Sequence, residues 1–307
     1  MPRNLVTGAG GMVGSHLLER LEGASPGSVL GTWFRPTVRL AELPTSIPMV
    51  ELDVRDRAVV AALFAAECPA IIYHLAAQSL PTVSWVDPWE TFRVNVEGTI
   101  NVFEAIRAIR ARDPDYDPMV VVACSSAQYG DSLTPDNVPI DEETLPLPLH
   151  PYGVSKVAMD LLAFQYWRNS GIRSIRARIF NTTGPRKSAD VVSDFCARVA
   201  RIKRHGGTLR VGNIETRRAI LDVRDLISAL ILLAERGAPG EAYNICADRA
   251  WRIGDLIPLL EELAGVTLTV EPDPALFRPS DEPVILGRNT KLKERTGWLP
   301  TVNLRDT

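Results

Sequence analysis

A short apolar run, Leu5-Val6-Thr7, breaks into Gly8-Ala9-Gly10-Gly11-Met12-Val13-Gly14 and resumes as Ser15-His16-Leu17-Leu18-Glu19-Arg20-Leu21. No other stretch restricts the possible folds as much. The order reads as strand, glycine-rich turn, helix, which is the setting a dinucleotide fingerprint requires. Gly8 permits the tight turn, Gly11 lets the backbone approach a pyrophosphate, and Gly14 lets the helix pack close on the strand. An anion placed there meets the free N–H groups and the positive end of the helix dipole. The glycines are spaced Thr-Gly-x-x-Gly-x-x-Gly. Gly8, Gly11, Met12 and Val13 are therefore candidate cofactor-binding residues.

The alternation of strand and helix continues well beyond this turn. Extended segments are expected at 4–7, 28–34, 49–52, 70–75, 119–125 and 174–179. Helices are expected at 13–21, 57–66, 91–112 and 152–169. Such alternation predicts an α/β fold, a doubly wound parallel sheet of the Rossmann type. Ligands then bind beyond the carboxyl ends of the strands. The texture changes after Phe180, where Gly184-Pro185-Arg186 opens a loop. Helices are expected again at 194–204 and 222–235, the second returning to the first unit. We expect a Rossmann domain from residues 1–180 plus about 221–247. A smaller α/β substrate domain would comprise 181–220 plus 248–307.

Composition removes several classes of function. Hydrophobic content of 46% and charged content of 23% are ordinary for a globular protein. A net charge of −3 gives no broad basic surface for nucleic acid. No apolar run approaches a membrane span. Met1-Pro2-Arg3-Asn4 leads directly into the first strand and leaves no room for a signal peptide, so a cytoplasmic location is expected. Cys68, Cys124, Cys196 and Cys246 are scattered through apolar contexts, without metal-like pairing. They are expected to be buried, reduced thiols.

The chemistry concentrates in Pro151-Tyr152-Gly153-Val154-Ser155-Lys156. One helical turn places Tyr152 and Lys156 on one face. An ammonium beside a phenol favours the phenolate and is expected to lower the Tyr152 pKa, tuning it as an acid or base. Ser125 ends an expected strand, where its hydroxyl can hold a substrate oxygen. Lys156 can also hydrogen-bond a cofactor ribose. Ser126 follows at the same strand end, and Asn181 and the run Leu75-Ala76-Ala77 fall at other strand ends, so all face the same crevice. Arg35 follows the second strand, and no acid stands between Val29 and Leu40. That arrangement favours NADP(H), with NAD(H) as the alternative. Asp53-Val54, ending the third strand, is placed to meet the adenine; Asp53 is equally suited to cap the next helix. Arg218 and Arg278 are candidates for a diphosphate, which the planar guanidinium binds bidentately.

Thr7-Gly8-x-x-Gly11-x-x-Gly14, His74-Leu75-Ala76-Ala77, Ser125-Ser126-x-x-Tyr129-Gly130, Tyr152-x-x-x-Lys156 and Phe180-Asn181-x-x-Gly184-Pro185 together resemble the extended short-chain dehydrogenase/reductase family. The resemblance spans nearly the whole chain. It implies a Rossmann domain, a nicotinamide cofactor and a nucleotide-sugar substrate. Val211–Glu215, Asp222–Asp225, 278–283 and the tail from Lys291 to Pro300 are most similar to the reductases of GDP-6-deoxy-4-keto-D-mannose, which make GDP-D-rhamnose. By this likeness Ser125, Tyr152 and Lys156 are catalytic. Ser126, Asn181, Arg218, Arg278 and Asp281 hold the nucleotide sugar, with Asp281 on a ribose hydroxyl. The likeness also implies a homodimer through a four-helix bundle, to which Val102, Ile106, Phe164 and Trp167 would contribute. Two positions depart from it. Ala219 stands where relatives often carry an acid, and the loop Arg186-Lys187-Ser188 is unusual; both are expected to flank the sugar pocket. The 4,6-dehydratases of the family carry a glutamate where this chain has Ala127, which moves no protons. A 4-epimerase needs only Ser, Tyr, Lys and tightly held NAD. A cofactor-sensing binding protein without catalysis usually lacks the Tyr or Lys.

Overall fold

In a computed structural model, the structure describes residues 4–277 and 282–307. Six parallel strands follow the expected order: β1 (Asn4–Thr7), β2 (Val29–Trp33), β3 (Met49–Glu51), β4 (Ile71–His74), β5 (Met119–Ser125) and β6 (Ser174–Ile179). A seventh, Ala242–Ile245, was not read from the sequence and pairs in parallel with β6. The sheet runs β3-β2-β1-β4-β5-β6 and then Ala242–Ile245. The strand order reverses between β1 and β4, so the crevice of a doubly wound sheet opens there.

The sheet is covered on both faces because successive side chains point to opposite sides. Val6, Tyr73, Val121 and Ile175 pack with Leu17 and Leu18 of α1 (Met12–Ala24) and with Leu226 and Leu230 of helix Val223–Arg236. Leu5, Ile72, Val120 and Val122 pack on the other side. There they meet Phe64 of α2 (Arg57–Glu67), Phe103 of α5 (Gly98–Arg110) and Met159 of α6 (Pro151–Ser170). A separate apolar cluster joins Phe195 and Val199 to Leu209, Ile253, Leu256 and Leu268. The tail returns to the sheet: Leu292 and Trp298 join the α1 side, and the Trp298 indole donates to the Asp225 carbonyl at 3.0 Å.

The helix expected at 91–112 is broken differently. Two short helices precede it, α3 (Pro81–Val86) and α4 (Pro88–Phe92), and a π turn covers Arg93–Glu97 before α5 begins. Pro81 and Pro88 open their helices at the first position, where the missing N–H costs nothing. The cysteine expectation is corrected in part. All four are free, and Cys124 and Cys246 are buried, but Cys68 and Cys196 are exposed at helical surfaces.

Candidate functional site

The glycine turn is built as its spacing requires. Gly8 has φ 72°, a left-handed conformation that other residues adopt with strain. A Cβ there would lie 2.6 Å from the Ala76 nitrogen, so the turn and the end of β4 are in backbone contact. A Cβ on Gly14 would lie 2.4 Å from the Gly8 carbonyl. The nearest atom to a Cβ on Gly11 is 3.4 Å away, which leaves that residue open toward solvent. Gly11 is also the N-cap of α1, and no side chain caps this end and no acid stands in its first turn. The helix thus presents unpaired N–H groups to an anion.

A cleft over these strand ends is lined by Gly8, Gly11, Asp53, Val54, Leu75, Ala76 and Ala77, with Gly10, Phe34, Leu52 and Val94. Seven predicted cofactor residues therefore meet. Met12 and Val13, in the first turn of α1, instead pack into and against the core, and neither lines the cleft. Arg35 stands at the rim, next to Phe34. Asp53 does not cap α2: Asp56 does, accepting from the Ala58 and Val59 nitrogens. The Asp53 carboxylate is held by Arg55, whose Nε lies 2.9 Å from both oxygens. Burial raises the Asp53 pKa, but the Arg55 hydrogen bonds and charge outweigh it and hold the carboxyl below its usual value.

Behind the cleft runs a line of buried hydrogen bonds. The Ala76 N–H donates to Thr7 Oγ1 at 3.2 Å, and Thr7 Oγ1 lies 2.9 Å from His74 Nδ1. His74 Nε2 lies 3.0 Å from Thr99 Oγ1, which donates to the Asn95 carbonyl at 2.6 Å. Thr99 spends its proton on that carbonyl, so His74 Nε2 carries the hydrogen and Nδ1 accepts from Thr7. Burial, aided by the Lys156 charge, pushes the His74 pKa down to about 3 and keeps the ring neutral. Asn95, in the π turn, donates to the Gln78 carbonyl at 3.0 Å and to Ser155 Oγ at 2.9 Å. Ser155 donates in turn to the Tyr152 carbonyl at 2.7 Å. Sequence reasoning missed Asn95. A polar residue within an apolar helical stretch was its only local signal.

Ser125, Tyr152 and Lys156 come together at the ends of β5 and α6, all nearly buried. Ser125 Oγ accepts the Ala127 N–H at 3.2 Å and hydrogen-bonds the Tyr152 phenol. The expectation that Lys156 lowers the Tyr152 pKa is corrected. Burial pushes that phenol up to about 12, opposed by the Ser125 bond. Lys156 Nζ lies 5.7 Å from the Tyr152 ring centroid and donates to the Ala123 carbonyl at 2.7 Å. Its own pKa falls to about 8 through burial. The phenol is therefore held protonated, in the form that donates.

Ser126 is buried in the turn after β5, and Asn181 follows β6. The Asn181 Oδ1 is buried without a hydrogen-bond partner, a lone acceptor of the kind a ligand donor satisfies. Arg218 lies on a short strand between Trp251–Arg252 and Val284–Ile285 and donates to the Glu282 carbonyl at 2.8 Å. Arg278 and Asp281 lie outside the described residues. The expectations for the sugar-pocket flanks change. Ala219 is fully buried among Tyr129, Phe180 and Ile285, so it is a core residue. Arg186 reaches back to Glu19 of α1 with contacts of 2.7 and 3.0 Å. Among the described residues no His/Cys/Asp/Glu group is arranged to hold a metal, and no helix is long and apolar enough to cross a membrane.

A family model described as GDP-mannose 4,6 dehydratase matches residues 5–307. The chain belongs to this family. Membership agrees with the extended short-chain dehydrogenase/reductase resemblance carried by the motifs. The GDP-mannose 4,6-dehydratase family is broad in its chemistry, as the similar proteins show. GDP-6-deoxy-D-mannose reductase of Pseudomonas aeruginosa is 31% identical over 99% of this chain and 94% of its own length. The structure of RMD from Pseudomonas aeruginosa complexed with NADPH superposes with TM-score 0.83 at 30% identity, covering 100% of this chain and 96% of that one. A UDP-glucose 4-epimerase from Thermotoga maritima, solved with UDP-glucose, gives TM-score 0.88 at 26% identity over 99% and 95% of the two chains.

Proposed function

We propose that this protein is an NADPH-dependent oxidoreductase that reduces the C4 ketone of a 4-keto-6-deoxy nucleotide sugar. The substrate best supported is GDP-4-keto-6-deoxy-D-mannose, and the product GDP-D-rhamnose. The observation that carries the reading is the Ser125–Tyr152–Lys156 cluster beside the open glycine cleft, with Ala127 adjacent. A dehydratase must also remove and return protons at neighbouring carbons, and the alanine side chain moves none. The similarity to a GDP-6-deoxy-D-mannose reductase and to an NADPH complex supports the sugar and the cofactor.

The residues present fit a dinucleotide, since Gly11 and the uncapped start of α1 leave room and N–H donors for a pyrophosphate. When bound, the cofactor supplies the hydride. Tyr152 donates its proton to the C4 oxygen as negative charge develops there. Ser125 holds the same oxygen. Lys156 would hold the ribose and supply positive charge beside the phenol. Asn181 offers its unpaired acceptor to the sugar, and Arg218 and Arg278 take the diphosphate. Residues 181–220 and 248–307 would form the substrate-binding part. The decisive experiment is incubation with NADPH and a panel of GDP- and other nucleotide-linked 4-keto-6-deoxy sugars. Loss of nicotinamide absorbance with the GDP-linked ketone is expected; no oxidation across the panel would overturn the reading.

Further outcomes follow from the same site. Arg35→Asp is expected to shift preference from NADPH toward NADH, because a carboxylate repels the 2′-phosphate and accepts from ribose hydroxyls. Titration of both cofactors checks this, and an unchanged affinity ratio would place the phosphate elsewhere. Arg218→Ala is expected to raise KM roughly ten- to a hundredfold with a smaller loss in kcat, since the diphosphate does not change during reaction. A matching loss on a 4-keto sugar lacking the nucleotide would assign Arg218 to folding instead.

A homodimer through α5 and α6 remains our reading, on a corrected surface. Val102 and Ile106 are fully buried against their own sheet, and Trp167 packs over Gly240. Leu161 and Phe164 stay exposed and would form the contact. A monomer by sedimentation at micromolar concentration would remove it.

A further inference from the structure

The rim of the glycine cleft carries four charged side chains around one aromatic ring. Arg35 leaves β2 with φ 47°, a left-handed conformation unfavourable for any residue but glycine. Such strain persists only where the surroundings enforce it and often marks a functional position. The Arg35 guanidinium lies 5.1 Å from the centroid of Phe34, and the Arg55 guanidinium 5.6 Å from it. Glu90, in the first turn of α4, bridges the two. Its Oε1 lies 3.2 Å from Arg35 Nη1 and its Oε2 2.6 Å from Arg55 Nη1.

The two arginines are held very differently. Arg55 is 24% exposed and lies between Glu90 and the Asp53 carboxylate, which Nη2 meets at 2.6 Å. It is committed to both. Arg35 is 71% exposed and has one long contact to Glu90, the kind of surface pair that is weak and easily exchanged. Formally the charges of Asp53, Arg55, Glu90 and Arg35 cancel. An anion arriving at this rim therefore meets no net positive charge; Arg35 can engage it only by leaving Glu90, and Glu90 itself repels it.

We propose that Glu90 sets cofactor selectivity by competing with the 2′-phosphate of the cofactor for Arg35. The proposal rests on the NADPH reading given above and adds to it a residue that no sequence motif indicates. With the phosphate present, Arg35 exchanges Glu90 for a stronger, dianionic partner. With a cofactor lacking it, the Arg35–Glu90 pair stays closed. Glu90 thus weakens NADPH binding selectively and leaves NADH binding in place, which narrows the difference between the two.

The test is equilibrium titration by protein fluorescence with NADPH and NADH on wild type, Glu90→Gln, Arg35→Met and the double variant. Circular dichroism confirms that each is folded. Glu90→Gln is expected to tighten NADPH about three- to tenfold at low salt. NADH should change by less than about twofold, and the NADPH gain should shrink as salt screens the rim. In the Arg35→Met background the Glu90→Gln gain should shrink to the small part that comes from lifting direct repulsion. Weaker NADPH binding by Glu90→Gln, an equal shift for both cofactors, or a gain that survives loss of Arg35 undiminished would each overturn the proposal. A wild-type protein that binds neither dinucleotide, or NADH alone, would instead fail the cofactor reading beneath it.

Discussion

Tyr152→Phe is expected to leave cofactor binding nearly intact while cutting kcat by roughly 10²–10⁴-fold, the usual contribution of a positioned acid. The ring is almost wholly buried and lies 5.9 Å from the His150 ring, nearly parallel to it. Phenylalanine keeps that packing and loses only the hydroxyl. Ser125 remains in place, because its acceptor role toward the Ala127 N–H does not depend on the phenol. Steady-state kinetics with the 4-keto sugar, together with NADPH titration, separates the two effects. Wild-type turnover in this variant would show that Tyr152 is not the proton donor.

Asp160→Asn is expected to cost about 3–5 kcal/mol of stability, the range for breaking a buried ion pair from one side. Asp160 is 2% exposed on α6 and accepts from Arg176 at 2.8 Å and from Arg178 at 2.9 and 3.1 Å. Arg178 is itself buried and extends the network to the Tyr129 hydroxyl and the Glu142 carbonyl. Removing the carboxylate charge leaves two guanidinium groups in β6 without their anion. Burial raises the Asp160 pKa, but the arginines more than offset it and hold the value below normal. Its stabilisation is therefore complete above the ordinary carboxylate value of 3.8 and is lost as the pH falls through the depressed folded value. Urea unfolding of wild type and variant at neutral pH measures the difference. A change below about 1 kcal/mol would mean that the arginines find other partners or water.

These two residues show what local sequence does and does not carry. Tyr152 was legible because its partner stands one helical turn away, and Gly8, Gly11 and Gly14 because a tight turn constrains adjacent residues. The six strands at the front of the chain were legible for the same reason: each is an apolar run bounded by turn residues. Asp160, Arg178 and Glu90 were not, since their partners are distant in sequence and acquire meaning only once the sheet is assembled. An apolar helical stripe such as Val102 and Ile106 does not say which surface covers it, a partner subunit or the chain's own sheet. On α5 the sheet takes that stripe. α3 and most of α4 lie outside the expected helix because each is a turn or so long, too short to show a helical period; Pro81 and Pro88 open them at the first position. The fall in the Tyr152 pKa was inferred from spacing to Lys156. Burial proved the larger effect, and burial is a property of the assembled core.

The line of hydrogen bonds from Ala76 through Thr7, His74 and Thr99 to Asn95 has a consequence for how the site responds to acidity. Imidazole is the side chain that ordinarily reports physiological pH, yet His74, at about 3, is silent throughout that range. Each group in the line has a single donor direction, fixed by the Asn95 carbonyl at one end and the Ala76 N–H at the other. Reversing any member would require reversing all of them. The scaffold joining the glycine turn to the catalytic helix is thus a one-way circuit without a charge to gain or lose. Loss of the Lys156 proton would relax one of the two influences that hold His74 down, but burial, the larger one, keeps the ring neutral and the donor order unchanged.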